Sequence, residues 1–276
     1  MDTIDCIRSL MSAWESYEDV LLLCDNSDDT NEVEKVLSFL AQVGSPRKQD
    51  CSQKSIDYIF RYERIIYFKS KSNLGFAKAN NCLLSYVFND LQSEISWIWF
   101  LNNDTLVDPI DYSSIHTYAS NTKCNLLYSQ INTFDNQYES DGLHYINLVT
   151  STTTNVKKIC YTPYICGASL LLRYSKSIPL WNEAYFLYYE DIDYYFTLKQ
   201  MGYIAEQIPN AKILHKVSAS TKKVRTINMI KIRSQSIFMK KYAKSYLAYF
   251  VLRCIHLLAL SRIAEFKNFI NIAREE

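Results

Sequence analysis

Four polar clusters, most of them closing an apolar run, hold the side chains with chemistry to offer. In FLYYEDIDYYF, three carboxylates (Glu190, Asp191 and Asp193) fall within four positions among aromatic rings. A carboxylate held against apolar rings is pushed toward a pKa suited to taking a proton from a hydroxyl. Asp193 stands two residues beyond Asp191, so the two cannot share one helical face. The competing role for such a cluster is dipole pairing at a helix start. In FLNNDT, Asp104 follows a run of apolar residues, with Asp108 four positions on. An acidic residue there can hold a hard divalent cation against phosphates, or can cap a turn. Asp25-Asn26-Ser27-Asp28 ends another apolar run. A carboxylate at a strand end can accept hydrogen bonds from a base or ribose, although the same residue types build helix caps and Asx turns. In NLGFAKANN, Gly75 permits close backbone approach at a helix start, where free N–H groups favour an anion. Asn80 and Asn81 sit mid-helix against their propensity, marking a polar task or plain exposure. His215, in KILHKVSAS, serves as a metal ligand or as a satisfied core imidazole.

The elements that must position these groups show in the periodicity. TIDCIRSLMSAW places Ile4, Ile7, Leu10, Met11 and Trp14 on one helical face. DVLLLCDN predicts a buried strand, NEVEKVLSFLAQVG a helix stopped at Gly44, and RIIYFKS a strand. GFAKANNCLLSYVFND predicts a helix and ISWIWFL a second buried strand. Strands alternating with helices, polar residues gathering at strand ends, predict an α/β fold with a mostly parallel sheet. Further on the alternation loosens: NLLYSQIN, LHYINLV and YICGASLLL read as strands in a mixed sheet, and EDIDYYFTLKQMG as a helix ending at Gly202. The tail from about residue 227 is helical, apolar and basic.

Composition bounds the function classes. With 48% hydrophobic and 21% charged residues in 276, the chain is globular. A formal net charge of +1 argues against a dedicated nucleic-acid binder. The eight cysteines form no CxxC, and several lie in apolar runs, which predicts reduced thiols and a cytoplasmic protein. MDTIDCIRSL has no signal-peptide pattern.

In order along the chain, VLLLCDNSDDT, NLGFAKANN, WIWFLNNDT, ICGASLLLR, WNEAYFLYYEDIDYYF with its trailing MGY, and ILHKVSAS resemble the family 2 glycosyltransferases. The likeness is strongest to the rhamnosyltransferase-like branch of bacterial O-antigen and capsule assembly, and covers roughly residues 4 to 245. It implies a GT-A fold over 1–225, with a nucleotide-binding half about 1–110, an acceptor half about 111–225, and a helical appendage over 226–276. By the same resemblance Asp25 reads the nucleotide base, while Asn73, Gly75 and Asn80 flank the nucleotide and donor sugar. Asn102 and Asp104 match the metal motif, with Asp104 ligating Mg²⁺ or Mn²⁺, and His215 adds a metal or diphosphate contact. Gly167 and Ala168 pass the donor sugar; Asp191 matches the general base, with Glu190 beside it. The implied reaction is an inverting, in-line transfer from a nucleotide-diphosphate sugar (dTDP-rhamnose or a UDP-hexose) to a glycan or lipid-linked oligosaccharide.

Three departures accompany the likeness. The apolar strand that opens the family is not found ahead of the first helix, which predicts a sheet lacking that strand. Thr197 stands where the family often has Arg, and the metal motif carries one Asp, which predicts weaker metal affinity. These keep open the alternative of a truncated, impaired family member that binds a glycan or a partner. Lys216, Lys222, Lys223, Arg225, Lys231, Arg233, Lys240, Lys241 and Lys244 precede the apolar segment SYLAYFVLRCIHLLALSRIAEF. That order suits peripheral contact with an anionic membrane, against the alternative of a solvated basic face and a core-packed helix.

Overall fold

The computed structural model describes residues 2–14, 17–91, 95–134, 139–216, 224–259 and 262–275. Lys222 and Lys223, and the side chain of Arg225, lie outside them.

The chain opens with α1 (Asp2–Ala13), which buries Cys6, Ile7 and Leu10. It continues through β1 (Leu21–Asp25) and α2 (Thr30–Val43), whose N-cap Asp29 accepts from Asn31 N. Next come β2 (Arg47–Gln49), β3 (Ile56–Tyr62) and β4 (Ile65–Ser70). Strands β2 and β3 add to those the periodicity predicts. Helix α3 (Gly75–Tyr86) runs into a π-helical turn, Val87–Leu91. These strands form one sheet in the order β1-β4-β3-β2, parallel only between β1 and β4.

A second sheet has the order β5-β12-β7-β13-β6, from β5 (Trp97–Leu101), β6 (Thr105–Val107), β7 (Leu126–Thr133), β12 (Ser169–Arg173) and β13 (Ala205–His215). A short β8 (Glu139–Ser140) pairs with β7. Here only β7 and β13 run parallel, a mixed sheet as expected of the later strands, while the first sheet is mixed too where a mostly parallel one was expected. Strand direction depends on long-range pairing, which periodicity does not carry. Helix α4 (Pro109–Asn121), capped by Asp108 through Ile110 N, packs on this sheet. A small third sheet joins β9 (Leu143–Ile146), β10 (Thr153–Thr154) and β11 (Thr162–Ile165). YICGASLLL is therefore two strands in two sheets, divided at Cys166-Gly167-Ala168.

Strands β1 and β5 are the ends of their sheets, and among the described residues each pairs along one edge only. Both nevertheless carry apolar side chains on two faces. Leu21 and Leu23 of β1 join Trp97, Trp99 and Leu101 of β5 in a core containing Ile7 and Leu10 of α1. Leu22 and Cys24 turn the other way, toward Cys82 and Leu83 of α3. Every residue of β1, and all of β5 except Phe100, is only partly buried, where buried strands were predicted. The physical reason is the missing neighbour along one edge of each.

Helix α5 (Glu190–Gln200) ends at Met201 ahead of Gly202, whose φ of 86° suits glycine. Helices α6 (Val224–Tyr242), α7 (Tyr246–Ala259) and α8 (Ile263–Glu275) then share a core with α5, through Phe238, Tyr249, Leu257 and Phe269. Phe238 packs its ring near Tyr189, Phe196 and Tyr242. A charged bond joins α6 to α5: Lys241 Nζ lies 2.8 Å from Oδ1 of Asp193, which is buried. Tyr185 also donates to Asp193 Oδ1, at 3.4 Å. Removing one partner of such a pair strands the other charge. Lys241→Met is expected to cost about 2 kcal/mol in urea denaturation, less than for a fully buried pair because Lys241 is 43% exposed. Adding Asp193→Asn should recover part of that loss; a double variant no more stable than the single would show the pair to be uncoupled.

Candidate active site

Asp191 is held by backbone. At the N-terminus of α5 it accepts from Ile192 N at 2.9 Å and from Gly167 N at 3.3 Å. Gly167 is required here: a Cβ on it would lie 2.7 Å from Asp191 Cβ. One residue on, Ala168 O accepts from Asn102 N at 3.0 Å, at the end of β5. The turn that supports the carboxylate thus also anchors the FLNNDT segment. Cys166, buried beside the turn, has its thiol pKa pushed up to about 12 by burial, with the charges of Asp191 and Asp104 adding. Both carboxylates are therefore within electrostatic reach of one sulfur.

At the far side of that turn, Asp104 Oδ1 and His215 Nε2 stand 3.1 Å apart, with side chains only 15% and 14% exposed. Asn102 Nδ2 lies 3.5 Å from the same ring nitrogen. His215 is positioned as the last residue of β13, opposite Thr105 of β6 and Thr133 of β7. His144 lies close enough to feel its charge, and burial pushes the His144 imidazole pKa down, toward the neutral form. No group of three or more His, Cys, Asp or Glu suited to a metal occurs among the described residues. The protein therefore offers a carboxylate and an imidazole already converged, a donor set that fits a divalent cation whose remaining ligands come from phosphate and water.

Glu190 differs from its neighbour. It is 7% exposed, and its Oε2 is buried with no hydrogen-bond partner among the described residues. Burial, then the charge of Asp191, push its pKa up to about 8. Burial raises Asp191 as well, opposed by its backbone donors. Asp191 thus has backbone donors that favour its charged form, and the Oε2 of Glu190 has none. The loop entering α5 is strained: Tyr188 and Tyr189 have φ of 69° and 68°. Ser234 Oγ of α6 donates to Leu187 O at 2.8 Å, and Tyr189 Oη to Ser151 O at 2.9 Å, holding that loop.

The nucleotide-side residues gather at the end of β1. Asp25 Oδ2 accepts from Tyr67 Oη at 2.7 Å and Oδ1 from Ser27 N at 2.8 Å. Asn26, absent from the predicted set, donates to Gly75 O at 3.1 Å and so ties β1 to α3. Gly75, with φ of 74°, is approached by Phe186 O, which would meet an added Cβ at 2.4 Å. Phe76 N, the free donor expected at this helix start, donates to Phe186 O at 3.0 Å. Asn73 Oδ1 accepts from Gly75 N at 3.0 Å, and Asn80 Nδ2 donates to Phe76 O at 3.0 Å, so both turn inward on the helix. Asn81 is the one with the polar task. It is buried, donates to Trp181 O and accepts from Trp181 N, each at 2.9 Å, joining α3 to the segment before α5. Asp193 faces Lys241, and Thr197 Oγ1 donates to Asp193 O at 2.9 Å, so neither belongs to the Asp191 cluster.

The arrangement is an α/β fold with carboxylates and an imidazole gathered at strand ends and at the start of α5. The model of Glycosyl transferase family 2 matches residues 3–178, and the chain belongs to that family. The match stops short of α5 and of His215, which geometry alone brings to the site. A crystal structure of GalNAc-T7 with UDP, GalNAc and Mn²⁺ superposes with a TM-score of 0.63 at 10% identity, over 96% of this chain, and so bears out a GT-A-like fold with a helical C-terminal part. This chain spans about half, 52%, of that structure. No curated protein matches it.

Two outcomes test the geometry. Gly167→Ala is expected to fold but to displace Asp191, with sugar transfer falling about 10²-fold; unchanged turnover would show the close approach to be unimportant. Because the folded pKa of Glu190 lies above the unfolded value of 4.5, the native state keeps a proton that the unfolded chain releases. Its contribution is therefore fully present below pH 4.5 and is lost as pH rises toward 8. Glu190→Gln should remove that decline, worth on the order of a few kcal/mol, so thermal melts of variant and parent should diverge at pH 8 and not at pH 5.

Proposed function

We propose that the chain is an inverting glycosyltransferase. It moves a sugar from a nucleotide-diphosphate donor to a hydroxyl of a glycan or lipid-linked oligosaccharide, in the manner of the rhamnosyltransferase-like branch and in bacterial surface polysaccharide synthesis. The observation that carries this reading is the Gly167–Asp191 contact, which seats a carboxylate beside the turn that anchors Asn102 and Asp104.

Asp191 takes the proton of the acceptor hydroxyl as its oxygen attacks the anomeric carbon, and the diphosphate leaves on the opposite side. Asp104 and His215 would hold Mg²⁺ or Mn²⁺, which supplies charge neutralisation to the departing diphosphate. Glu190, protonated, keeps the pair at a single negative charge and leaves Asp191 as the acceptor of the proton. Asp25 bonds the base, with Tyr67 and Ser27 holding its carboxylate in place. Asn73, Gly75 and Asn80 shape the wall beside the donor, and Gly167 and Ala168 pass the sugar. A single base suffices because inversion forms no covalent sugar–enzyme intermediate.

Incubation with Mn²⁺ and a panel including dTDP-rhamnose and UDP-hexoses tests the reading. Asp191→Asn is expected to lower turnover by about 10²–10⁴-fold while donor affinity holds; undiminished turnover would remove Asp191 from the role of base. Asp104→Asn should raise the Mn²⁺ concentration needed for half-maximal activity. Donor or glycan binding without any transfer would support the binding-protein reading in its place.

A further inference from the structure

Outside the site, the surface most at odds with a solvated exterior is α7. Leu247 (72% exposed), Val251 (47%), Leu252 (44%), Ile255 (58%) and Leu258 (52%) stand out into solvent. At about 100° per residue these positions, with Ala248 and Ala259, fill one continuous arc of the helix and admit no polar side chain. The opposite arc holds Tyr249 and Leu257, buried against the core shared with α5. The helix therefore has one packed side, which also carries Arg253, and one open side that is wholly apolar. An open apolar stripe of this length marks an interaction surface.

We propose that this face of α7 seats the protein on an anionic lipid bilayer, the helix lying along the surface. Charge selects the occupant. Between Glu206 and Glu265 the sequence has no acidic residue and twelve Lys and Arg, although the whole chain carries only +1. Lys231, Arg233, Lys240 and Lys244 are exposed on or just after α6, and the Lys240 ammonium stands 5.7 Å from the ring of Tyr246, at the start of α7. Pairing this face with a second copy of the chain would bring two basic surfaces together; an anionic headgroup layer answers both the stripe and the cations. Beside the stripe a groove lined by Tyr246, Leu247, Phe250, Ile270 and Ala273 offers apolar walls of the kind an acyl chain fills. No helix among the described residues is long and apolar enough to cross a membrane, which agrees with a helix lying in the interface.

Co-sedimentation of the full chain with vesicles tests this without reference to catalysis, so it stands or falls apart from the transferase reading. Binding to phosphatidylcholine vesicles containing phosphatidylglycerol should be at least about tenfold tighter than to phosphatidylcholine alone, and should weaken with salt. The double variant Val251→Asp/Ile255→Asp changes only exposed positions and should lose that binding with an unaltered circular-dichroism spectrum. Lys240→Glu/Lys244→Glu should lose the preference for the anionic vesicles. The proposal is overturned if neither vesicle binds, or if the apolar double variant binds as the parent does. It is equally overturned if light scattering shows a dimer that the double variant abolishes while vesicles are ignored.

Discussion

The site depends on one close approach, that of Asp191 to the backbone at Gly167. The absence of a side chain at Gly167 lets the helix that begins at Glu190 come up against the turn between β11 and β12. The peptide N–H exposed by that approach orients the carboxylate. Two residues of the same turn then serve opposite ends of the site, because Ala168 receives the backbone of Asn102. A short rigid link of this sort fixes the spacing between Asp191 and the Asn102–Asp104 segment far better than two independent loops would.

Around that contact the supporting shell is built from buried polar pairs. Asn81 satisfies both backbone groups of Trp181, and Asp193 draws in Lys241 from α6. Ser234, also on α6, holds Leu187 in the strained segment just before Glu190 and Asp191. The C-terminal helices therefore reach the chemistry indirectly: they hold the loop that aims Glu190 and Asp191. Such positive-φ tyrosines persist only where surrounding contacts over-determine them.

Much of this was legible in the sequence, and what escaped did so for physical reasons. The alternating strands and helices were visible because apolar periodicity is local, and the carboxylates at their ends followed. The roles of Asn80 and Asn81 could not be separated, since the partner of Asn81 lies 100 positions away. Spacing put Asp193 on a different face from Asp191, but its partner Lys241 lies 48 residues on and could not be read. The run YICGASLLL is apolar throughout, and only Gly167 hints that it breaks; the break itself is dictated by a helix from elsewhere. Strand direction in the first sheet escaped for the same reason, being a property of pairs and not of segments.

The unpaired edges of β1 and β5 carry a consequence for the molecule's mechanics. Hydrogen-bond ladders resist shear between neighbouring strands, but among the described residues none joins β1, which ends in Asp25, to β5, which ends in Leu101. Side-chain packing beneath α1 and the Asn26–Gly75 bond carry that load instead. Packed side chains slide more readily than ladders stretch. The line between β1 and β5 is thus the seam along which the two sheets would move against each other, with its amides the first to trade protons with water.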